Sequence, residues 1–195
     1  MDIEPARTAV LIMDYQNDIV AMTGDRADAL LDKAAQVLAA AREAAMPVIY
    51  ITVGFRPSYP EVSPRNKSFN GIREAGRLAP GSAGAEVHPA VAPQANDLVV
   101  VKHRVGAFTG TDLDMILRAH DVDTLLLLGI ATSGVVLSTV RHAADHDYRL
   151  IVLKDCCADT DPEVHSCLMD KVLARQATVA TANEFLDSLQ ILYFS

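Results

Sequence analysis

The stretch "DTLLLLGIATSGVVLSTV", residues 123–140, decides the fold. Residues 123–129 form an apolar run without polar alternation, the pattern of a strand buried on both faces. Glycine and small residues follow at 129–134, and apolar positions at helical spacing then continue to about residue 146. A buried strand that passes through a tight turn into a helix is the repeating unit of α/β proteins. Such a turn often carries the chemistry, yet its centre here is Gly134-Val135-Val136, and valine has no reactive group.

The same unit recurs outward in both directions. "TAVLIM" (8–13) predicts a first buried strand, "PVIYITV" (47–53) a second, "DLVVVK" (97–102) a third, "RLIVL" (149–153) a fifth and "ATVAT" (177–181) a sixth, with 123–129 the fourth. Helices are expected over 26–45, 111–120 with Thr111 as N-cap, 161–175 with Asp161 as cap and Pro162 at the first helical position, and 182–189. The expected fold is α/β, a Rossmann-like three-layer α/β/α arrangement with a six-stranded, mainly parallel sheet. Residues 54–96 are rich in Pro, Gly, Ser and Asn. That segment is too long for a simple connector and is expected to shape a site or an interface.

Bulk properties narrow the function. Half of the 195 residues are apolar, which suits one domain over 1–195 with a sizeable core. A net charge of −8 lacks the basic face that a nucleic-acid partner needs. No apolar run is long enough to span a bilayer, and "MDIEPARTAV" lacks the shape of a secretory signal. Three cysteines, two of them adjacent, argue against a disulfide framework, so a cytoplasmic location is expected. No CxxC, HExxH or Walker-type motif occurs.

In open parallel sheets, ligands bind beyond the carboxyl ends of the strands. That rule selects Asp14 after strand one, Lys102 at the end of strand three and the 130–136 turn after strand four. Lysine beside a buried carboxylate lowers its pKa, while burial raises it. Backbone N–H groups of Ile130, Ala131 and Val135, entering a helix, could form an oxyanion hole. Ser133 is not in a GxSxG elbow and has no assignable His–Asp partners. His103, His142, His146 and His165 read mostly as solvated, and Ser138 and Thr139 as bonding within their helix. Cys156 and Cys157 read as small buried hydrophobes just after strand five, with a relocated catalytic thiol as the sharper alternative. Gln16, Phe55, Arg56, Phe108, Ser133 and Gly134 are candidate substrate contacts, and Arg65 and Arg104 join Arg56 as possible carboxylate anchors.

Together these residues resemble the isochorismatase-like hydrolase superfamily, which includes nicotinamidases, carbamoylsarcosine amidases and isochorismatases. The resemblance rests on "TAVLIMDYQND" (8–18), "VVKHRVGAFTGTDLDMILR" (100–118) and "LLLLGIATSGVVLSTVRHAADHDYRLIVLKDCCAD" (125–159), in that order. It implies catalytic roles for Asp14 and Lys102, and a cis peptide at Ile130–Ala131. The family's nucleophilic cysteine maps to Val135, and its aspartate after the threonine to Ser133. A thioester route is thereby closed at that position. True isochorismatases, which also lack the thiol, use the aspartate as a general acid on a vinyl ether, and Asp14 could take that role. The D-x-H metal pattern expected after strand two is replaced by "VGFRPSYPEV", so neither a catalytic metal nor another cofactor is expected. The implied partners are a small-molecule substrate and further copies of the chain in a homo-oligomer. The alternatives are an inactive small-molecule-binding protein on the same fold and an amidase with a relocated thiol.

Overall fold

Six strands make the sheet, and the central ones leave no polar face for water. The six are β1 (Thr8–Met13), β2 (Val48–Val53), β3 (Leu98–Lys102), β4 (Thr124–Ile130), β5 (Arg149–Ala158) and β6 (Thr178–Ala180). Every residue of β1, β2 and β4 is buried. Strands covered on both faces have this continuous apolar character, and all neighbouring pairs here are parallel. The computed structural model describes Met1 and residues 3–193, with side chains to residue 190.

The sheet order is β3-β2-β1-β4-β5-β6. Chain order therefore reverses between β1 and β4, and a crevice opens at the carboxyl ends of that pair. The helices are α1 (Asn17–Val20), α2 (Ala27–Glu43), α3 (Lys67–Glu74), α4 (Leu113–Ala119), α5 (Leu137–Ala144), α6 (Pro162–Cys167) and α7 (Ala182–Tyr193). On one face Val10, Ile12, Leu126 and Leu128 pack against α2 and α7 through Leu31, Leu38 and Phe185. On the other, Leu11, Met13, Leu125 and Leu127 pack against Leu113, Leu117 and Val140 of α4 and α5. The result is the expected three-layer α/β/α sandwich.

Several local expectations change. β5 continues to Ala158, five residues past the predicted end, because the polar pair Lys154-Asp155 interrupts the apolar run without ending the strand. Cys156 and Cys157 thus lie inside a strand and point into opposite core layers. The predicted 161–175 helix breaks into α6, a π-helical turn at Leu168–Val172 and a 3-10 turn at Leu173–Arg175. Asp161 does cap α6, accepting from the N–H groups of Glu163 and Val164. Thr111 stands one residue before the N-cap position, Asp112: its hydroxyl donates to the Ala107 carbonyl and accepts the N–H of Leu113, the first residue of α4, at 3.4 Å. Thr139 reaches out of its helix, its hydroxyl accepting from the Ala107 N–H at 3.2 Å.

Candidate active site

Asp14 is the first residue beyond β1. Its N–H donates to the Ile51 carbonyl at 2.8 Å, and its φ of 60° is left-handed. Aspartate tolerates that region better than most residues, so the chain can turn sharply off the strand there. Lys102, the last residue of β3, reaches across the end of β2. Its ammonium lies 3.0 Å from Asp14 Oδ2, and the two side chains are 2% and 8% exposed. It also donates to the Arg104 carbonyl at 3.1 Å. Among the described residues, Asp14 Oδ1 is buried without a hydrogen-bond partner. Burial raises the Asp14 carboxyl, and the Lys102 charge offsets only part of that, leaving a pKa of about 6.

The 130–136 turn closes the opposite wall. The Ile130–Ala131 peptide is cis. A π-helical turn, Thr132–Val136, follows and leads into α5. The turn is held from outside by the segment after β5. Asp159 accepts the Ser133 N–H at 2.7 Å, and the Thr132 hydroxyl lies 2.8 Å from His165 Nδ1. Burial pushes the Asp159 carboxyl up, but the hydrogen bonds from Ser133 outweigh it and hold the group below the usual carboxylate range. Burial lowers the pKa of His165. Gly129 admits no side chain, because a Cβ there would lie 2.8 Å from Val136 and 3.2 Å from Met13.

Asp14, Lys102, Ile130, Ala131, Gly134 and Val135 converge on one cavity of about 290 Å³. It is small for a ligand pocket. The sequence missed its other wall. Phe69 and Ile72 of α3, with Arg77 and Leu78 just beyond, close it together with Ile19 and Met22. The proline- and glycine-rich 54–96 segment therefore does shape the cavity, but through residues without a local motif.

Other sequence candidates stand elsewhere. The Gln16 amide is spent on the backbone: its oxygen accepts from the Val53 N–H, and its nitrogen donates to the Val53 and Ala85 carbonyls, all at 2.8 Å. Phe55 packs edge-on against Phe69 in a separate apolar cluster. Arg56, itself exposed, pairs with the largely covered Glu61 at 2.6 Å. Phe108 stacks on His142, 4.5 Å between ring centres. The Ser133 side chain is exposed, and only its N–H is engaged near the site. Arg104 donates to the carbonyls of Glu61 and His103, and Arg65 is exposed. Three of the histidines read as solvated, His103, His142 and His165, are half-buried instead. None of the three cysteines lines the cavity. Burial raises both Cys156 and Cys157, the latter to about 12, so neither thiol ionises readily. Among the described residues no three His, Cys, Asp or Glu side chains gather as a metal site. No described helix is long and apolar enough to cross a membrane.

The doubly wound sheet thus brings an acid, a lysine and a cis-peptide turn around one small cavity near its switch point. The chain belongs to the isochorismatase family, matching the Isochorismatase domain over residues 8–184. It is 34% identical to the ureidoacrylate amidohydrolase RutB of Methylobacterium radiotolerans, over 83% of this chain and 70% of that protein. The crystal structure of a cysteine hydrolase from Pseudomonas syringae pv. phaseolicola superposes with a TM-score of 0.88 at 28% identity, covering 96% of this chain and 94% of that one. The N-carbamoylsarcosine amidase of Thermoplasma acidophilum gives 0.75 at 30% identity, over 90% and 96%.

Proposed function

We propose that this isochorismatase-family hydrolase works without a cysteine nucleophile, with Asp14 as general acid and base and Lys102 as its charged partner, on a small enol ether. The observation that carries this reading is the Asp14 carboxyl. One oxygen is paired with Lys102, the other is buried and unpartnered beside the cavity, and the pKa is about 6. A group of that kind holds a proton in a useful fraction of molecules near neutrality.

In its acid form Asp14 gives its proton to the terminal carbon of the enol ether. The adjacent carbon becomes an oxocarbenium centre. Water adds there and returns a proton to the Asp14 carboxylate. The resulting hemiketal then breaks its C–O bond to release an alcohol and a carbonyl compound. Lys102 keeps the carboxylate form from becoming too costly in the buried site. Val135 occupies the place where the family resemblance puts the thiol, so the amide chemistry of the named relatives lacks its nucleophile in this chain.

The experiment is a paired assay on purified protein. Isochorismate and related enol ethers are scored by pyruvate, and primary amides and ureides by ammonia. Pyruvate release that disappears in Asp14→Asn supports the reading. Ammonia release instead would overturn it. A non-catalytic binding role is the second reading, favoured by the apolar cavity wall and by cysteines that stand away from it. Saturable ligand binding with no product at stoichiometric protein would select it.

A further inference from the structure

Two successive residues of the 130–136 turn are fastened from beyond β5, and the two fastenings differ in kind. Ser133 gives its backbone N–H to Asp159, an acceptor held in its charged form. Thr132 is fully buried, and its hydroxyl lies 2.8 Å from Nδ1 of His165 on α6. Among the described residues that hydroxyl has no other partner. The N–H groups of Gly134 and Val136 both turn back to the Ala131 carbonyl, at 3.1 and 3.3 Å, and so close the loop around Thr132. Ala131, Gly134 and Val135 are the residues this loop presents to the cavity. The His165 ring is half-buried. The charged groups around it are Asp159 just past β5, Arg26 ahead of α2 and Asp170 just after α6, and burial is the largest influence, favouring the neutral ring.

We infer that His165 is a positioning residue for the cavity's turn: the neutral ring accepts the Thr132 hydroxyl proton and holds the turn, and the imidazolium releases it. The inference rests on the cavity being the functional site, as in the reading above. A buried hydroxyl proton is costly to leave without an acceptor, so the hydroxyl donates to Nδ1 and the ring carries its own proton on Nε2. An imidazolium has a proton on both nitrogens and accepts nothing. Charging the ring therefore sets two donors against each other where water does not reach. Asp159 still grips Ser133, so the turn loosens at Thr132 without unfolding. Asp14 must carry a proton for the proposed chemistry and His165 must not. The two groups bound the working range from opposite sides of pH.

The experiment is NMR on the full chain labelled with nitrogen-15. Long-range proton–nitrogen correlations read the tautomer of His165, and amide exchange reads the protection of Gly134 and Val136. At pH 8 the ring should be neutral with its proton on Nε2. As pH falls through the midpoint at which the ring charges, protection of the two amides should drop about tenfold. Any turnover should lose kcat/KM on the acid side at the same midpoint. His165→Asn puts an amide oxygen where Nδ1 stands and does not titrate, so it should keep the protection and lose the acid-side drop. His165→Leu should lose the protection at every pH, with the fold checked by circular dichroism. The tautomer and the exchange rates need no turnover, so they stand apart from any failure of the Asp14 chemistry. A proton on Nδ1 at pH 8, protection indifferent to the charging of the ring, or an acid-side drop that persists in His165→Asn would each overturn the inference.

Discussion

Lys102 reaches Asp14 from two strands away: β3 and β1 are separated by β2, yet the ammonium and the carboxylate stand 3.0 Å apart. Both groups are shielded from water, and the lysine offsets part of the cost of the Asp14 carboxylate. That balance governs the pH behaviour of the site.

A reaction that needs protonated Asp14 loses rate as pH rises through about 6. The profile of kcat/KM should fall tenfold per pH unit on that alkaline limb. Asp14→Asn should lower kcat/KM by about 10²–10⁴ with the far-UV spectrum unchanged. A flat profile between pH 5 and 8 would remove Asp14 from the acid role.

Lys102→Met strips the carboxylate of its counter-charge. The Asp14 pKa is already raised in the folded chain, and this change raises it further. The folded state then holds a proton that the unfolded state releases. Its stabilising contribution is full below the unfolded value near 3.8 and is lost as pH climbs through the folded one. The variant should therefore be destabilised by about 3–5 kcal/mol at pH 8 and clearly less at pH 5, read from urea midpoints. An equal loss at both pH values would show that Lys102 acts through packing alone.

Gln16→Ala deletes three hydrogen bonds, two of them buried, and leaves Val53 and Ala85 groups unpaired. The expected loss is about 2–4 kcal/mol in denaturant unfolding. Retention of ligand affinity in the surviving folded fraction is expected too, since Gln16 itself does not line the cavity.

Thiol chemistry separates the relocated-cysteine alternative. Cys167 is exposed, while Cys156 and Cys157 are buried with raised pKa values. Iodoacetamide should add once to the native chain and three times after denaturation, counted by intact mass, without loss of turnover. Inactivation in step with alkylation would return the catalytic role to a thiol.

The layers and the strand-end residues were legible in the sequence because each strand writes an apolar run, unbroken and buried on both faces in β1, β2 and β4. The positions just past such runs, Asp14 and Lys102, are then fixed by topology. The cavity's far wall was not legible. Phe69 and Ile72 stand three apart on one face of the short, polar-rich α3, and Arg77 owes its placement to α1, far away in the chain. Gln16, next but one to Asp14, looked like a ligand contact for the same reason Asp14 did. Only the structure shows its amide turned back on Val53. β5 was cut short because Lys154 and Asp155 resemble a strand end, although pairing resumes at Cys157 and Ala158 beside Gly129 and Ile130.

The Gln16 side chain has one more consequence. By bonding both the N–H and the carbonyl of Val53 it behaves as a peptide group set sideways, a rung of sheet contributed by a side chain. β2 is thereby sealed at its tip, between the ends of β1 and β3. Water has no bare amide to wet there, and the acid and the lysine can meet over a dry floor that a loop backbone would have hydrated.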